Sequence, residues 1–255
     1  MAIDLDLLLR AYASGIFPMS DARDDPDTFW IEPQHRAILP LDGLHVSHSL
    51  AKTIKRGRFR VTSDAAFDRV IALCAEDQPD RRETWINPDI EDAFSQLHRK
   101  GFAHSVECWL DSDDGPMLVG GLYGLALGRA FFGESMFSRA TDASKVALVW
   151  LVARLIAGGF KLLDCQFMTD HLASLGAIEI EQEQYMHLLE AALSRDVQVS
   201  IASSASPELS ASGAALAGAG DWGALDLLLG SDVESDSTGA SSPGKLILHC
   251  LTQTS

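Results

Sequence analysis

The chain has 255 residues, 47% of them apolar, with 20 basic and 36 acidic residues and a net charge of −16. That acidity argues against a protein that wraps nucleic acid by neutralising phosphates. No run of about 18 uncharged apolar residues spans a bilayer. The four cysteines (Cys74, Cys108, Cys165, Cys250) suit neither a zinc site nor a disulfide framework.

"MAIDLDLLLRAYASGIFPM" lacks the basic leader of a signal peptide, so the chain reads as reduced and cytoplasmic. Leu5 to Ala13 reads as a short helix closed by Gly15, followed by an irregular, Pro-punctuated segment with buried aromatics. "HVSHSLAKTIKRGRFR" holds Lys52, Lys55, Arg56, Arg58 and Arg60 with no acid. It is either a solvated helix face or a local hold on a phosphate backbone. Leu50 to Arg56 is helical by pattern, "RFRVTSD" is a short strand, and Asp64 is a candidate N-cap for a helix over 65–75. "INPDIEDAFSQLHRKG" is an amphipathic helix with Gly101 as its C-terminal signal.

Strands follow. "AHSVECWLD", "MLVGGLYGLAL" and "AFFGESMF" read as three antiparallel strands, "ASKVALVWLVARLIAG" as a crossover helix, and "FKLLDCQF" as a strand parallel to the one before the helix. The fold class is therefore α+β, or a mixed α/β sheet. Beyond Arg195 the composition turns to Ser, Ala, Gly and Asp, which reads as a flexible tail whose closing "KLILHCLTQTS" is a candidate docked strand. The organisation is a small N-terminal segment (1–36), a catalytic domain (37–195) and the tail (196–255).

Glu134 stands out in "FFGESMFSRATDASKVAL" because a carboxylate among apolar residues is costly unless paired or used. Period-two alternation puts Phe132, Glu134 and Met136 on one face of their strand, and Leu162, Asp164 and Gln166 on one face of the next. Two carboxylates and an amide converging among Phe, Met and Leu describe a small-molecule site. Asp164 and Gln166 satisfying backbone groups where the sheet splays is the plainer alternative. There is no G-x-S-x-G elbow and no dinucleotide or Walker fingerprint, so an enzyme built from these parts works by holding an already activated substrate.

"YASGIFPM", "FWIEPQHRAILPL", "HVSHSL", "ETWI", "LHRKGFAHSVECW", "LVGGLYGLALGRAFFGESMFSRATDASKVAL", "LLDCQF" and "HLASLGAIEI" occur in this order. Together they resemble the leucyl/phenylalanyl-tRNA–protein transferase family, over about Leu7 to Leu189. The resemblance implies a GNAT-like acyltransferase sheet and no metal or other cofactor. It implies transfer of leucine, phenylalanine or methionine from aminoacyl-tRNA to proteins with N-terminal Arg or Lys, creating an N-degron, and a monomer as the default state.

By the same resemblance, Glu134 holds the aminoacyl ammonium. Asp164 orients Gln166 and favours the cationic acceptor, while the Gln166 carbonyl accepts a hydrogen bond from the attacking amine. Leu122, Phe131, Met136, Leu151, Leu155 and Leu163 match the side-chain pocket. Trp85 matches the residue stacked on the terminal adenine, with Tyr12 and Phe17 in its neighbourhood, and Lys52 to Arg60 would meet acceptor-stem phosphates. Met19 stands where many relatives carry Trp.

The rival readings are a CoA-dependent acetyltransferase and a non-catalytic aminoacyl-tRNA-binding module. The first normally needs a glycine-rich turn that "SRATDASKV" lacks. The second has no use for Glu134, Asp164 and Gln166 together.

Overall fold

The computed structural model describes residues 2–76, 84–194, 219–235 and 243–252. Helix α1 (Leu5–Ala13) begins where the Asp4 carboxylate accepts from Leu7 N, and the chain reverses through Gly15 at φ +78°. The segment expected to be irregular is a small antiparallel sheet of β1 (Phe17–Met19) and β2 (Phe29–Ile31).

Strand β3 (His35–Ile38), helix α2 (His48–Lys55), strand β4 (Arg60–Ser63) and helix α3 (Phe67–Ala75) come next. Asp64 does not cap α3. Its φ of +57° turns the side chain away, to accept from Ser105 N at 2.8 Å and to pair with His104 at 2.8 Å. Helix α4 (Pro88–Arg99) is capped by Asn87, with Pro88 in its first turn.

The centre is β5 (Ala103–Leu110), β6 (Met117–Leu127), β7 (Ala130–Ser138), helix α5 (Ala143–Ala157) and β8 (Leu162–Gln166). After these come α6 (Asp170–Ser174), β9 (Ile178–Glu181), α7 (Gln182–Leu193), α8 (Ala224–Ser235) and α9 (Pro243–Thr252). The main sheet runs β4-β5-β6-β7-β8-β3-β9, and only the β7–β8 pair is parallel. The antiparallel trio, the crossover and the parallel return follow the pattern in the sequence. The insertion of β3 between β8 and β9 does not announce itself there, because each pairing joins segments far apart in the chain.

The sheet carries a core on each face. Tyr12, Phe94, Tyr123, Phe132 and Tyr185 belong to one, and Leu122, Phe131, Leu151, Leu155 and Leu163 to the other, under α5. Part of the supposed tail belongs to the second core. Leu225 is buried in it, and α9, a helix rather than the expected strand, packs on α5 and α2. Residues 196–218 of the expected flexible tail lie outside the described residues. Among the described residues, no helix is long and apolar enough to cross a membrane.

Candidate active site

Glu134 owes its position to a β-bulge. Gly133 is registered against Gly124 and Ser135 against Tyr123, so Glu134 is the extra residue on β7 with no partner on β6. Gly124 is required there, since an added Cβ would lie 2.2 Å from Phe132 O. The bulge also resets the alternation. Phe132 belongs to the core beside α1 and α4, whereas Met136 packs with the core under α5. The expectation that Phe132, Glu134 and Met136 share a face is therefore corrected, because strict period two fails across an inserted residue.

Glu134 as a residue is 7% exposed, and its two carboxylate oxygens differ. Oε1 accepts from Tyr12 Oη at 2.8 Å and from Gln166 Nε2 at 3.0 Å. Oε2 is buried without a hydrogen-bond partner. Burial pushes the Glu134 carboxyl up to about 8, against the Tyr12 hydrogen bond and with help from the Asp164 charge. The Tyr12 hydroxyl is held well above its ordinary range by its own burial and by Glu134.

Asp164 is fully buried and paired with Arg36, which the sequence reading did not single out. Arg36 Nε lies 2.9 Å from Oδ1, Nη2 lies 2.6 Å from Oδ2, and Nη1 donates to Gly15 O at 3.0 Å. Its guanidinium lies over the rings of both Phe17 and Tyr185, each centroid 4.6 Å away. Tyr185 Oη donates to Asp164 Oδ2 at 2.8 Å. The remaining bond orients the neighbouring amide: Gln166 N donates to Asp164 Oδ1 at 2.8 Å and holds Gln166 at φ +59°. With its charge matched by Arg36, Asp164 is not placed to attract a cationic acceptor. The one local signal for Arg36 was a basic residue heading the apolar run "HRAILPL".

A cavity of about 270 Å³ opens beside Glu134. Leu122, Met136, Leu148, Leu151 and Leu163 line its apolar part, with Glu134 and Gln166 at its polar end. Phe17, Met19, Trp85 and Phe167 also line it, and Phe17 meets Phe167 edge-on at 5.6 Å. Phe131 and Leu155 are fully buried in the core under α5 and are not among the lining residues. Tyr12 is likewise fully buried beneath Glu134, packed edge-on to Phe132 at 5.0 Å, so it is not placed to meet an adenine. Lys52, Lys55, Arg56, Arg58 and Arg60 are exposed on α2 and the approach to β4 and are not among the lining residues. Arg60 lies over Trp109 at 5.3 Å. Among the described residues, no group of three or more His, Cys, Asp or Glu side chains is placed to hold a metal ion.

Comparison with known proteins agrees on one family. Residues 38–190 match the family described as leucyl/phenylalanyl-tRNA protein transferase, and residues 1–34 match the N-terminal domain of the same enzymes. The protein of that name from Rhizorhabdus wittichii is 62% identical over 192 residues, covering 75% of this chain and 76% of its own. The one from Novosphingobium aromaticivorans is 51% identical across 100% of this chain and 97% of its own. The crystal structure of FemX is similar at a TM-score of 0.47 and 11% identity, over 69% of this chain and 66% of that one, a likeness that carries no argument. The chain belongs to the leucyl/phenylalanyl-tRNA–protein transferase family, aminoacyltransferases that move leucine or phenylalanine from aminoacyl-tRNA to protein N-termini.

Proposed function

We propose that the chain transfers leucine or phenylalanine, and also methionine, to the α-amine of proteins that begin with Arg or Lys, marking them for proteolysis. The observation that carries the reading is the unpartnered Glu134 Oε2 beside an apolar cavity. The buried centre holds two carboxylates, Glu134 and Asp164, and one guanidinium, Arg36. With both carboxylates ionised it is one cation short, a deficit that the proton kept by Glu134 makes good until a donor binds. An aminoacyl ammonium on Oε2 supplies that charge while its side chain fills the space among Leu122, Met136, Leu151 and Leu163.

The attacking α-amine needs little help, because such a group titrates near pH ~8 and the tRNA ester is already activated. Gln166 gives its N–H to Glu134, which leaves its carbonyl to accept a hydrogen bond from the amine. The amine nitrogen bonds to the ester carbonyl carbon, the bond to the ribose oxygen breaks, and that oxygen takes up the proton the amine loses. Asp164, with Arg36 and Tyr185, is a positioning residue that fixes Gln166.

Trp85 and Phe17 receive the terminal adenine, with Met19 in place of a second indole. The exposed Lys52, Lys55, Arg56, Arg58 and Arg60 follow acceptor-stem phosphates. A kinship with GNAT acyltransferases, a cytoplasmic location, a monomeric state and the division at residue 36 complete the reading, with part of the segment beyond 195 counted in the catalytic domain's core. The deciding experiment is transfer of radiolabelled leucine from charged tRNA to a peptide beginning with Arg, beside a matched peptide beginning with Ala. Labelling of the Arg peptide alone is expected. Labelling of neither, with charged tRNA still bound, makes the chain a binding module.

A further inference from the structure

Residues 219–230 lie outside the 38–190 stretch matched by the family, yet they are built onto the sheet behind the cavity. Gly220 N donates to Gly128 O and Asp221 N to Gly158 O, both at 2.9 Å, pinning the segment to the β6–β7 turn and the end of α5. Trp222 then lays its indole against His104 on β5 and Phe131 on β7, with ring centroids 4.3 and 5.4 Å away and near-parallel planes. The indole N–H is held by Asp64 Oδ2 at 2.8 Å and Ser63 Oγ at 3.1 Å. Arg154 of α5 donates to Trp222 O at 2.6 Å and forms a two-point pair with Asp226 at 2.6 and 2.7 Å.

Phe131 links this cluster to the site. It is registered against Leu163, a lining residue, and its ring lies over Gly124, where an added Cβ would meet Phe131 Cε1 at 2.5 Å. Arg154 sits on the helix that supplies Leu148 and Leu151 to the cavity. One segment therefore packs behind two elements, β7 and α5, that supply lining residues to the cavity.

We propose that Trp222, clamped by Asp64 and by the Arg154–Asp226 pair, is a positioning residue that sets the depth of the aminoacyl pocket and tunes the choice between leucine and phenylalanine. The proposal rests on reading the cavity as that pocket. Trp222→Ala frees the space behind Phe131. Its test is kcat/KM for leucyl- and phenylalanyl-tRNA with one Arg peptide, measured beside the parent protein.

The phenylalanine-to-leucine ratio should rise at least about fivefold, since a small change in an apolar pocket carries discrimination of that order or more. Trp222→Phe should restore it. Asp226→Asn, at a position 58% exposed, should shift the ratio the same way and decides the matter if the alanine variant does not fold. Equal losses for both donors, or an unchanged ratio in a folded, active variant, would mean the segment only supports the fold and would overturn the proposal. A parent protein that transfers neither amino acid would instead overturn the reading of the cavity.

Discussion

Replacing Glu134 by Gln should make the protein more stable and inactive. The Glu134 carboxyl is raised from 4.5 to about 8, with burial as the leading cause. Between those pH values the unfolded chain has lost this proton and the folded chain has kept it. Stability therefore falls as pH rises through that window, by about 1.4 kcal/mol per unit, and levels off above the folded value. At pH 7 the accumulated cost is about 3 kcal/mol. Glutamine offers the same Oε1 to Tyr12 and Gln166 and cannot ionise, so it escapes the cost. Urea unfolding of both proteins from pH 5 to pH 8 measures the difference, with other titrating groups cancelling. The variant should be ahead by about 1 kcal/mol at pH 5 and by about 3 kcal/mol at pH 7. A difference that does not change with pH would refute the reasoning, because it would mean that Glu134 titrates alike in both states. Transfer should fall to background, since an amide cannot balance the donor's ammonium.

Asp164→Ala leaves the Arg36 guanidinium buried and unmatched; chemical denaturation should show a loss of about 3–5 kcal/mol, and transfer should vanish. Replacing Arg36 and Asp164 together by apolar residues should recover much of the stability and none of the activity. Tyr12→Phe removes a hydrogen bond that lowers the Glu134 pKa, so the rising limb of kcat/KM against pH should move to higher pH with the same peptide. An unmoved limb would place Glu134 outside the titration that controls transfer. Gly124→Ala sets a Cβ against Phe132 O and the Phe131 ring, and thermal unfolding should show a cost of at least about 1–3 kcal/mol. Neutralising Lys52, Lys55 and Arg56 together should flatten the salt dependence of tRNA binding by roughly 0.7–0.9 per lost phosphate contact in a log–log plot.

What the sequence made legible depended on how local the cause was. Glu134 was visible because a carboxylate inside an apolar strand violates burial rules at that very position. The bulge that aims it was not, because it is set by Gly124 on the neighbouring strand rather than by the residues beside Glu134. Asp164 and Gln166 were found as a pair two apart, but Arg36 arrives from 128 residues away and leaves almost no local trace. The described part of the tail, 219–235 and 243–252, was misread by composition. Its Ser, Ala and Gly content spoke for looseness, whereas α5, apolar on nearly all sides, called for a cover on its outer face. Leu225, Ile247 and the Trp222 ring contribute to that cover.

The placement of β3 between β8 and β9 also bears on the order of assembly. Arg36 and its strand leave the ribosome before their partner Asp164, which follows 128 residues later. At synthesis rates of about 5–20 residues per second, β3 waits roughly 6–25 s before the first of the strands on either side of it exists. The Arg36–Asp164 pair is therefore among the last regions of the sheet to close. A ribosome stalled anywhere in that interval would hold a chain with an unpaired strand and an uncompensated guanidinium, open to chaperones and proteases before it has ever met its substrate.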